Sequence, residues 1–137
     1  MIKILFFITF IYSIVLASDI KLASSIFNAI AIDLTKKDKP KVYLHENIKS
    51  IQQYPKNLDI VKNCKIADIV ILSTIKDIPS LCKDKILFGT RYTHLKDKRV
   101  IGAFFWQKGR PNILFYRDRL EKRYIKLDAS FDKYIEK

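Results

Sequence analysis

Few side chains in this sequence have the type and spacing that catalysis or metal binding requires. Its two cysteines, Cys64 and Cys82, lie 18 positions apart, and its two histidines, His45 and His94, stand alone. Neither pair follows the short spacings that zinc sites use. The sequence contains no glycine-rich phosphate loop, no G-x-S-x-G nucleophile motif and no His-Glu metal motif. We therefore expect a protein that is not an enzyme and has neither a cofactor nor a metal site.

The cysteines are expected to pair if the chain is exported, because an even number of cysteines in an oxidising compartment favours disulfides. A Cys64–Cys82 bridge would close a loop of about 19 residues and restrict the unfolded chain by about 3 kcal/mol. Each cysteine lies just before a predicted strand. Neighbouring parallel strands would bring these two positions together.

Asp68 and His94 are the other polar side chains that we considered for chemistry. Asp68 falls inside the apolar run Ile66–Ser73. One interpretation makes it an acid or a ligand group. The other, which we favour, makes it the polar start of a strand, hydrogen-bonded to neighbouring backbone. His94 lies in the basic segment Arg91–Arg99 and is expected to be solvated.

Three aromatic residues follow one another in a predicted strand. In such a strand Phe104 and Trp106 share one face, and Phe105 points to the other. If helices cover both faces, all three rings belong to the core. If one face is uncovered, Phe104 and Trp106 form a partner-binding surface together with Lys108 and Arg110, because aromatic residues and arginine are enriched in interface hot spots. The sequence leaves both alternatives open.

The hydrophobic pattern predicts the elements that position these residues. A helix with apolar residues from Ala23 to Leu34 ends before Pro40. Further helices are predicted at Asn47–Gln53 and Arg117–Leu127, and a final packed segment at Ser130–Ile135. Strands are predicted at Val42–Leu44, Ile66–Ser73, Lys85–Gly89, Val100–Trp106 and Asn112–Tyr116, the last two joined by a five-residue loop, 107–111. This order predicts an α/β fold: a mixed, mostly parallel sheet flanked by helices, with a C-terminal β-hairpin followed by a helix.

The N-terminus has the pattern of a secretory signal peptide. Lys3 is the only charge in the first 18 residues, an apolar run follows, and Val15 and Ala17 are small residues at a cleavage site before Ser18. A membrane anchor is the alternative, but the apolar run of 14 residues is shorter than the roughly 17–25 that span a bilayer. We expect a cleaved signal peptide, 1–17, and a single periplasmic domain, 18–137.

The chain is strongly basic, with a formal net charge of +12. Eleven basic residues stand against three acidic ones between Arg91 and Lys126. Export and the lack of a known binding motif argue against nucleic acid as a partner. An anionic envelope surface or an acidic protein face fits this charge better, and solvated charges without a partner are the alternative. The sequence leaves a homodimer open.

The second half of the chain resembles the YfiR/HmsC-like family of small periplasmic proteins. The resemblance covers residues 63–127 and begins with a cysteine just before an apolar, Asp-containing strand. A short strand, a glycine-bearing strand, a second strand and a helix follow in the family's order. The matching residues here are Cys64–Ile71, Ile86–Gly89, Val100–Phe105, Asn112–Phe115 and a helix that begins near Arg117. Where the family usually has a double glycine, this chain has Gly102 alone.

This resemblance implies a non-enzymatic periplasmic regulator. Such a protein would bind an inner-membrane signalling protein, such as a diguanylate cyclase, and control its activity. A solute-binding protein for a small anionic ligand is the alternative. Ser73, Thr74, Thr90 and Arg91 follow strands and are placed to hold an anion at the carboxyl ends of a parallel sheet.

Overall fold

A computed structural model describes the backbone of residues 2–136 and the side chains of residues 19–136. The predicted signal peptide, 1–17, and its cleavage site between Ala17 and Ser18 lie outside the described side chains. Export and periplasmic location therefore stay predictions. Among the residues that could be searched, no helix is long and apolar enough to cross a membrane.

Helices and strands alternate through the first two thirds of the chain. The α-helices are α1 (Ile2–Thr35), α2 (Lys49–Gln53) and α3 (Arg117–Lys122). Short 3₁₀ helices lie at Cys64–Ile66, Ser80–Cys82, Tyr92–Lys96 and Ala129–Tyr134. The strands are β1 (Lys41–His45), β2 (Asp59–Val61), β3 (Ile69–Leu72), β4 (Ile86–Gly89), β5 (Val100–Gln107), β6 (Arg110–Tyr116) and β7 (Ile135–Glu136).

The strands form one mixed, mostly parallel sheet in the order β2-β1-β3-β4-β5-β6-β7. Strands β1 to β5 are parallel to one another, and β6 pairs antiparallel with β5 to make the hairpin. Strand β7 runs parallel to β6. The hairpin is followed by α3, so the predicted α/β fold class is confirmed.

One face of the sheet is covered by helices. Helix α1 places Phe27, Ile30 and Leu34 at helical spacing against this face, where they join one buried cluster with side chains from the central strands. Ile51 of α2 and Leu120 of α3 enter the same cluster. The periodicity predicted for Ala23–Leu34 is thereby confirmed.

The opposite face is covered by 3₁₀ helices. All four residues of β3 are buried, as expected for a parallel strand covered on both sides. Cys64 and Cys82, each in a different 3₁₀ helix, pack with Leu95 over this second face. The two cysteines lie at disulfide distance, with Cα atoms 5.1 Å apart, as predicted. The bridge holds two segments that are too short to form a stable layer by themselves.

The hairpin turn is tighter than the sequence indicated. Gln107 pairs with Arg110, so only Lys108 and Gly109 remain in the turn, and the predicted five-residue loop is wrong. Both turn residues have positive φ, 52° and 74°. These angles are typical of the two-residue turn whose twist matches that of paired strands.

Helix α3 is also shorter than predicted. Tyr124 has a φ of 56°, and its backbone N–H donates to Glu121 while that of Ile125 donates to Leu120. This pattern is a Schellman motif, which ends a helix at a left-handed residue. Leu127 still reaches the core, but from the segment that follows the reversal, so the prediction of a helix through Leu127 is wrong.

Removing the disulfide tests how far the second face depends on it. We expect a Cys64→Ser, Cys82→Ser double variant to lose about 3 kcal/mol of unfolding free energy, because its unfolded chain is no longer restricted. Urea unfolding followed by circular dichroism measures the loss, and the reduced wild-type protein is the control. Equal midpoints for the oxidised wild type and the double variant would contradict this role.

Replacing Gly102 tests whether β5 and β6 must approach each other closely at this position. A Cβ atom there would lie 2.5 Å from Cδ1 of Phe115 and 2.7 Å from the carbonyl oxygen of Leu114. Because Phe115 is fully buried, Gly102→Ala is expected to cost about 1–3 kcal/mol through overpacking. The control is Gly109→Asn, since Gly109 has free space around it and Asn tolerates positive φ. The same unfolding midpoint for both variants would refute the steric explanation.

Candidate functional site

The parallel strands bring their carboxyl ends to one edge of the sheet. We call this the carboxyl edge: the segments 46–50, 73–76 and 90–96, which follow β1, β3 and β4, and residues 106–109, which are the end of β5 and its turn. In doubly wound sheets, ligands bind at this edge, where the strand order reverses. Here the order reverses between β1 and β3. Three cavities open at this edge in the described part of the chain, all lined in part by predicted site residues, and the first two differ in chemistry.

The first, which we call the basic cavity, has a volume of about 420 Å³ and lies beyond β3 and β4. Its polar lining consists of three cations, three hydroxyl groups and one histidine, namely Lys76, Arg91, Lys96, Ser73, Thr74, Thr93 and His94. The structure thus brings together three of the four residues predicted to hold an anion: Ser73, Thr74 and Arg91. Thr90 lies beside them, and its hydroxyl group donates to the carbonyl of Leu72 at 2.8 Å.

Hydrogen bonds fix the walls of the basic cavity. His45, the last residue of β1, donates from Nε2 to the carbonyl oxygen of Lys76 at 2.6 Å. The Thr74 hydroxyl accepts from the backbone N–H of Lys76 at 3.2 Å. The segment after β3 is therefore held to the end of β1, and the polar groups that it contributes are positioned before any ligand arrives.

His94 is buried, so the prediction of a solvated side chain is wrong. It is 4% exposed because Gly89 leaves room for it: a Cβ on Gly89 would lie 2.8 Å from Cβ of His94. The backbone N–H of Thr90 donates to Nδ1 of His94 at 3.1 Å. Burial, and then the charge of Arg91, lower the pKa of His94. The ring is therefore neutral near pH 7, with its proton on Nε2. The only signal in the sequence was a glycine at the end of a strand.

The second, which we call the aromatic cavity, has a volume of about 310 Å³ and lies between α1 and the ends of β3, β4 and β5. Phe27 of α1 and Phe104 of β5 line it, with ring centroids 5.0 Å apart. Trp106 forms another wall. Polar and charged side chains also line it, namely Asp19, Asn47, Lys49, Ser50, Ser73 and Thr90.

The three successive aromatic residues divide between the core and the surface. Phe104 is 2% exposed and packs under α1, so of the two alternatives the core is confirmed for Phe104, and its assignment as a partner-binding residue is wrong. Phe105 is buried on the opposite face, where its ring lies 5.5 Å from that of Tyr92. Trp106 is 42% exposed. Strand β5 runs past its last pairing with β4, at Ala103, and thus past the layer that buries its neighbours.

Lys108, in the hairpin turn, and Arg110, at the start of β6, are also exposed. Together with the intervening residues they form the end of the β5–β6 hairpin, which we call the hairpin tip (106–111). The structure therefore places three of the four predicted partner-binding residues on this hairpin, although Arg110 pairs with Gln107 and so faces the side opposite to Trp106. Tyr92 and Arg91 line a shallow cleft with Trp106 at the base of the tip.

Asp68 lies at the other end of the sheet, just before β3. Its carboxylate accepts from the backbone N–H of Lys41 at 2.8 Å and from Nζ of Lys37 at 2.6 Å. Burial alone would raise the pKa of Asp68, but these two bonds and the charge of Lys37 hold it below its ordinary value. The interpretation of Asp68 as the polar start of a strand is confirmed. Among the side chains described, no group of three His, Cys, Asp or Glu residues could hold a metal ion.

Replacing Asp68 tests this structural role. Asp68→Ala is expected to lower the unfolding free energy by about 1 kcal/mol at pH 7, because the Lys41 N–H loses its acceptor. A carboxylate with a depressed pKa stabilises above its unfolded pKa, and this contribution is lost as the pH falls through the folded pKa. The difference from wild type should therefore shrink in acid. Urea unfolding at pH 7 and pH 3 measures it, with exposed Asp38→Ala as the control. A difference independent of pH would contradict the ionic role.

No protein family model, curated protein or solved structure matches this chain. The resemblance to the YfiR/HmsC-like family therefore stays a prediction, and the function must be argued from the carboxyl edge itself.

Proposed function

We propose that this chain is an exported, non-enzymatic regulator that binds an inner-membrane signalling protein through the hairpin tip. The observation that supports this most directly is the exposure of Trp106 on a hairpin whose end also exposes Lys108 and Arg110. A large apolar ring that is 42% exposed at the end of a projecting hairpin is suited to an interface. Trp, Tyr and Arg are the residues most enriched in hot spots, and all three types lie here.

The charge of the hairpin tip indicates the chemistry of its partner. Lys108 and Arg110 are cations, and residues 106–111 include no carboxylate. The whole chain has a formal net charge of +12, so it would attract an acidic protein face over a long range at low salt. We therefore propose an acidic face on the periplasmic part of the partner. That this partner is a diguanylate cyclase rests on the family resemblance alone.

The hairpin tip is also preorganised. Strands β5 and β6 pair without interruption from Gly102 to Gln107, and the two-residue turn has the geometry that paired strands favour. A surface that is already ordered loses little conformational entropy on binding. This favours the tip over longer loops as the contact surface.

The cysteine pair supports the proposed export. Cys64 and Cys82 are both buried, and the second face of the sheet is built around them. Disulfides that contribute to a core are typical of oxidising compartments. Their burial favours a stabilising role over that of a redox sensor, since sensor cysteines are solvent-accessible.

The basic cavity supports a second candidate function, which is binding of a small anionic ligand. Three cations and three hydroxyl groups line one cavity at the carboxyl edge, between the segments that follow β3 and β4. This candidate does not depend on a partner protein.

Reversing the charge of the hairpin tip tests the regulator. We expect Lys108→Glu with Arg110→Glu, and separately Trp106→Ala, to reduce crosslinking to the membrane partner at least about tenfold, since each removes a hot-spot contact. Crosslinked material from envelope membranes is identified by mass spectrometry. The matched control is Lys39→Glu with Lys65→Glu, the same charge change on exposed residues beyond the opposite edge of the sheet.

Two results would count against the regulator. One is that no inner-membrane signalling protein is captured under either oxidising or reducing conditions. The other is an equal loss of crosslinking in the tip variant and the matched control, which would show that overall charge and not the hairpin tip governs binding.

A further inference from the structure

We infer that the basic cavity binds an oxyanion of the phosphate or sulfate type, and that neutral His94 donates to it from Nε2. This inference rests on the second candidate function. The candidate function names only a small anion. The inference specifies an oxyanion as the ligand and Nε2 of His94 as one of its hydrogen-bond donors.

The first reason is that Nε2 of His94 is left without a protein partner. Within the part of the chain that the structure describes, only Nδ1 of this ring has a hydrogen bond. The residue is 4% exposed, and no fully buried side-chain polar atom among the described residues lacks a partner. Nε2 is therefore the part of this buried ring that reaches the surface, and His94 is one of the residues that line the basic cavity. A ligand oxygen in this cavity could accept a hydrogen bond from it.

The second reason is that the surroundings keep this donor in one protonation state. Nδ1 accepts from the backbone N–H of Thr90, so a proton on Nδ1 would point directly at another N–H. The charged groups around the cavity are all cations, Lys76, Arg91 and Lys96. Strands β4 and β5, which pack against the 3₁₀ helix of His94, contribute no titratable side chains. Burial of the ring and the charge of Arg91 both oppose its protonation and lower its pKa.

The third reason is the match between this set of donors and an oxyanion. A tetrahedral oxyanion offers acceptor oxygens in several directions. Cations, hydroxyl groups and the His94 ring line the cavity, and no carboxylate does so among the side chains that the structure describes. Charge-assisted hydrogen bonds of this kind are the stronger ones in proteins. The volume of about 420 Å³ admits either a free ion or a small phosphomonoester, which share the same oxyanion chemistry.

The experiment uses sulfate as the main probe, because sulfate stays fully ionised from pH 6 to 8 and any pH dependence must come from the protein. Sulfate is titrated into the ¹⁵N-labelled full chain at constant ionic strength, and the imidazole ¹⁵N shifts are followed. We expect the Nε2 resonance of His94 to move while the ring keeps its neutral tautomer. His45 is the internal control, since its Nε2 already donates to Lys76. The dissociation constant should change less than about twofold over this pH range.

Variants then locate the site. His94→Gln and Arg91→Ala are each expected to weaken sulfate binding about tenfold, the loss of one hydrogen bond to a charged group. Lys39 lies beyond the opposite edge of the sheet, so Lys39→Glu should leave the affinity for sulfate unchanged. Inorganic phosphate and glycerol phosphate are the other two probes, and tighter binding of glycerol phosphate identifies a phosphomonoester as the ligand. If His94→Gln does not fold, the ¹⁵N shifts of the wild-type protein and the affinity of Arg91→Ala for sulfate decide whether the basic cavity is the binding site.

The outcomes separate the inference from the function on which it rests. If none of the three probes binds, both are overturned. If sulfate binds about tenfold more tightly for each pH unit lost, the histidine donates as an imidazolium, and the assigned role of His94 is wrong while anion binding stands. If Lys39→Glu weakens binding as much as Arg91→Ala, the anion responds to net charge, and the basic cavity is not a site.

Discussion

The structure depends on covering a sheet whose central strands are buried on both faces. Strands β3 and β4 contribute an almost unbroken apolar run, so water must be excluded from both sides. Helix α1 covers one side with a continuous apolar stripe. In the described part of the chain, the other side is covered by short 3₁₀ helices. Each has too few residues and too few backbone hydrogen bonds to be stable without further support. The Cys64–Cys82 pair joins two of them and lies itself in the buried cluster. This constraint decides where the chain is rigid.

The carboxyl edge is rigid for a similar reason, because the segments that form it are also short. The segments after β3 and β4 are short, and hydrogen bonds donated by His45 and Thr90 tie them to the strand ends. Their polar groups thus lie in a basic cavity with fixed walls. The β5–β6 hairpin is different, because it extends past the neighbouring strand and leaves the covered region. One edge therefore presents a preorganised basic cavity and a projecting aromatic tip side by side.

The sequence predicted the features that depend on local pattern. The apolar run around β3, the periodicity of α1 and the pairing of two cysteines before adjacent parallel strands are examples. Features that depend on a single backbone angle or a single missing atom could not be predicted. Helix α3 ends because Tyr124 adopts a left-handed conformation that its residue type does not suggest. His94 is buried because Gly89 has no Cβ, and that contact exists only after the 3₁₀ helix folds back onto β4. The three-residue β2 and two-residue β7 are too short for any periodicity.

The two proposed surfaces are neighbours, and Arg91 belongs to both. It lines the basic cavity and also the shallow cleft beside Trp106 and Tyr92. An oxyanion in the basic cavity would neutralise part of the charge that attracts an acidic partner to the hairpin tip. Two ligands that depend on one cation oppose each other's binding, and such coupling is reciprocal. A bound anion would therefore weaken the partner complex, and a bound partner would weaken anion binding to the same extent. A regulator built in this way would need no conformational change to respond to a small anion, because the shared charge alone links the two sites.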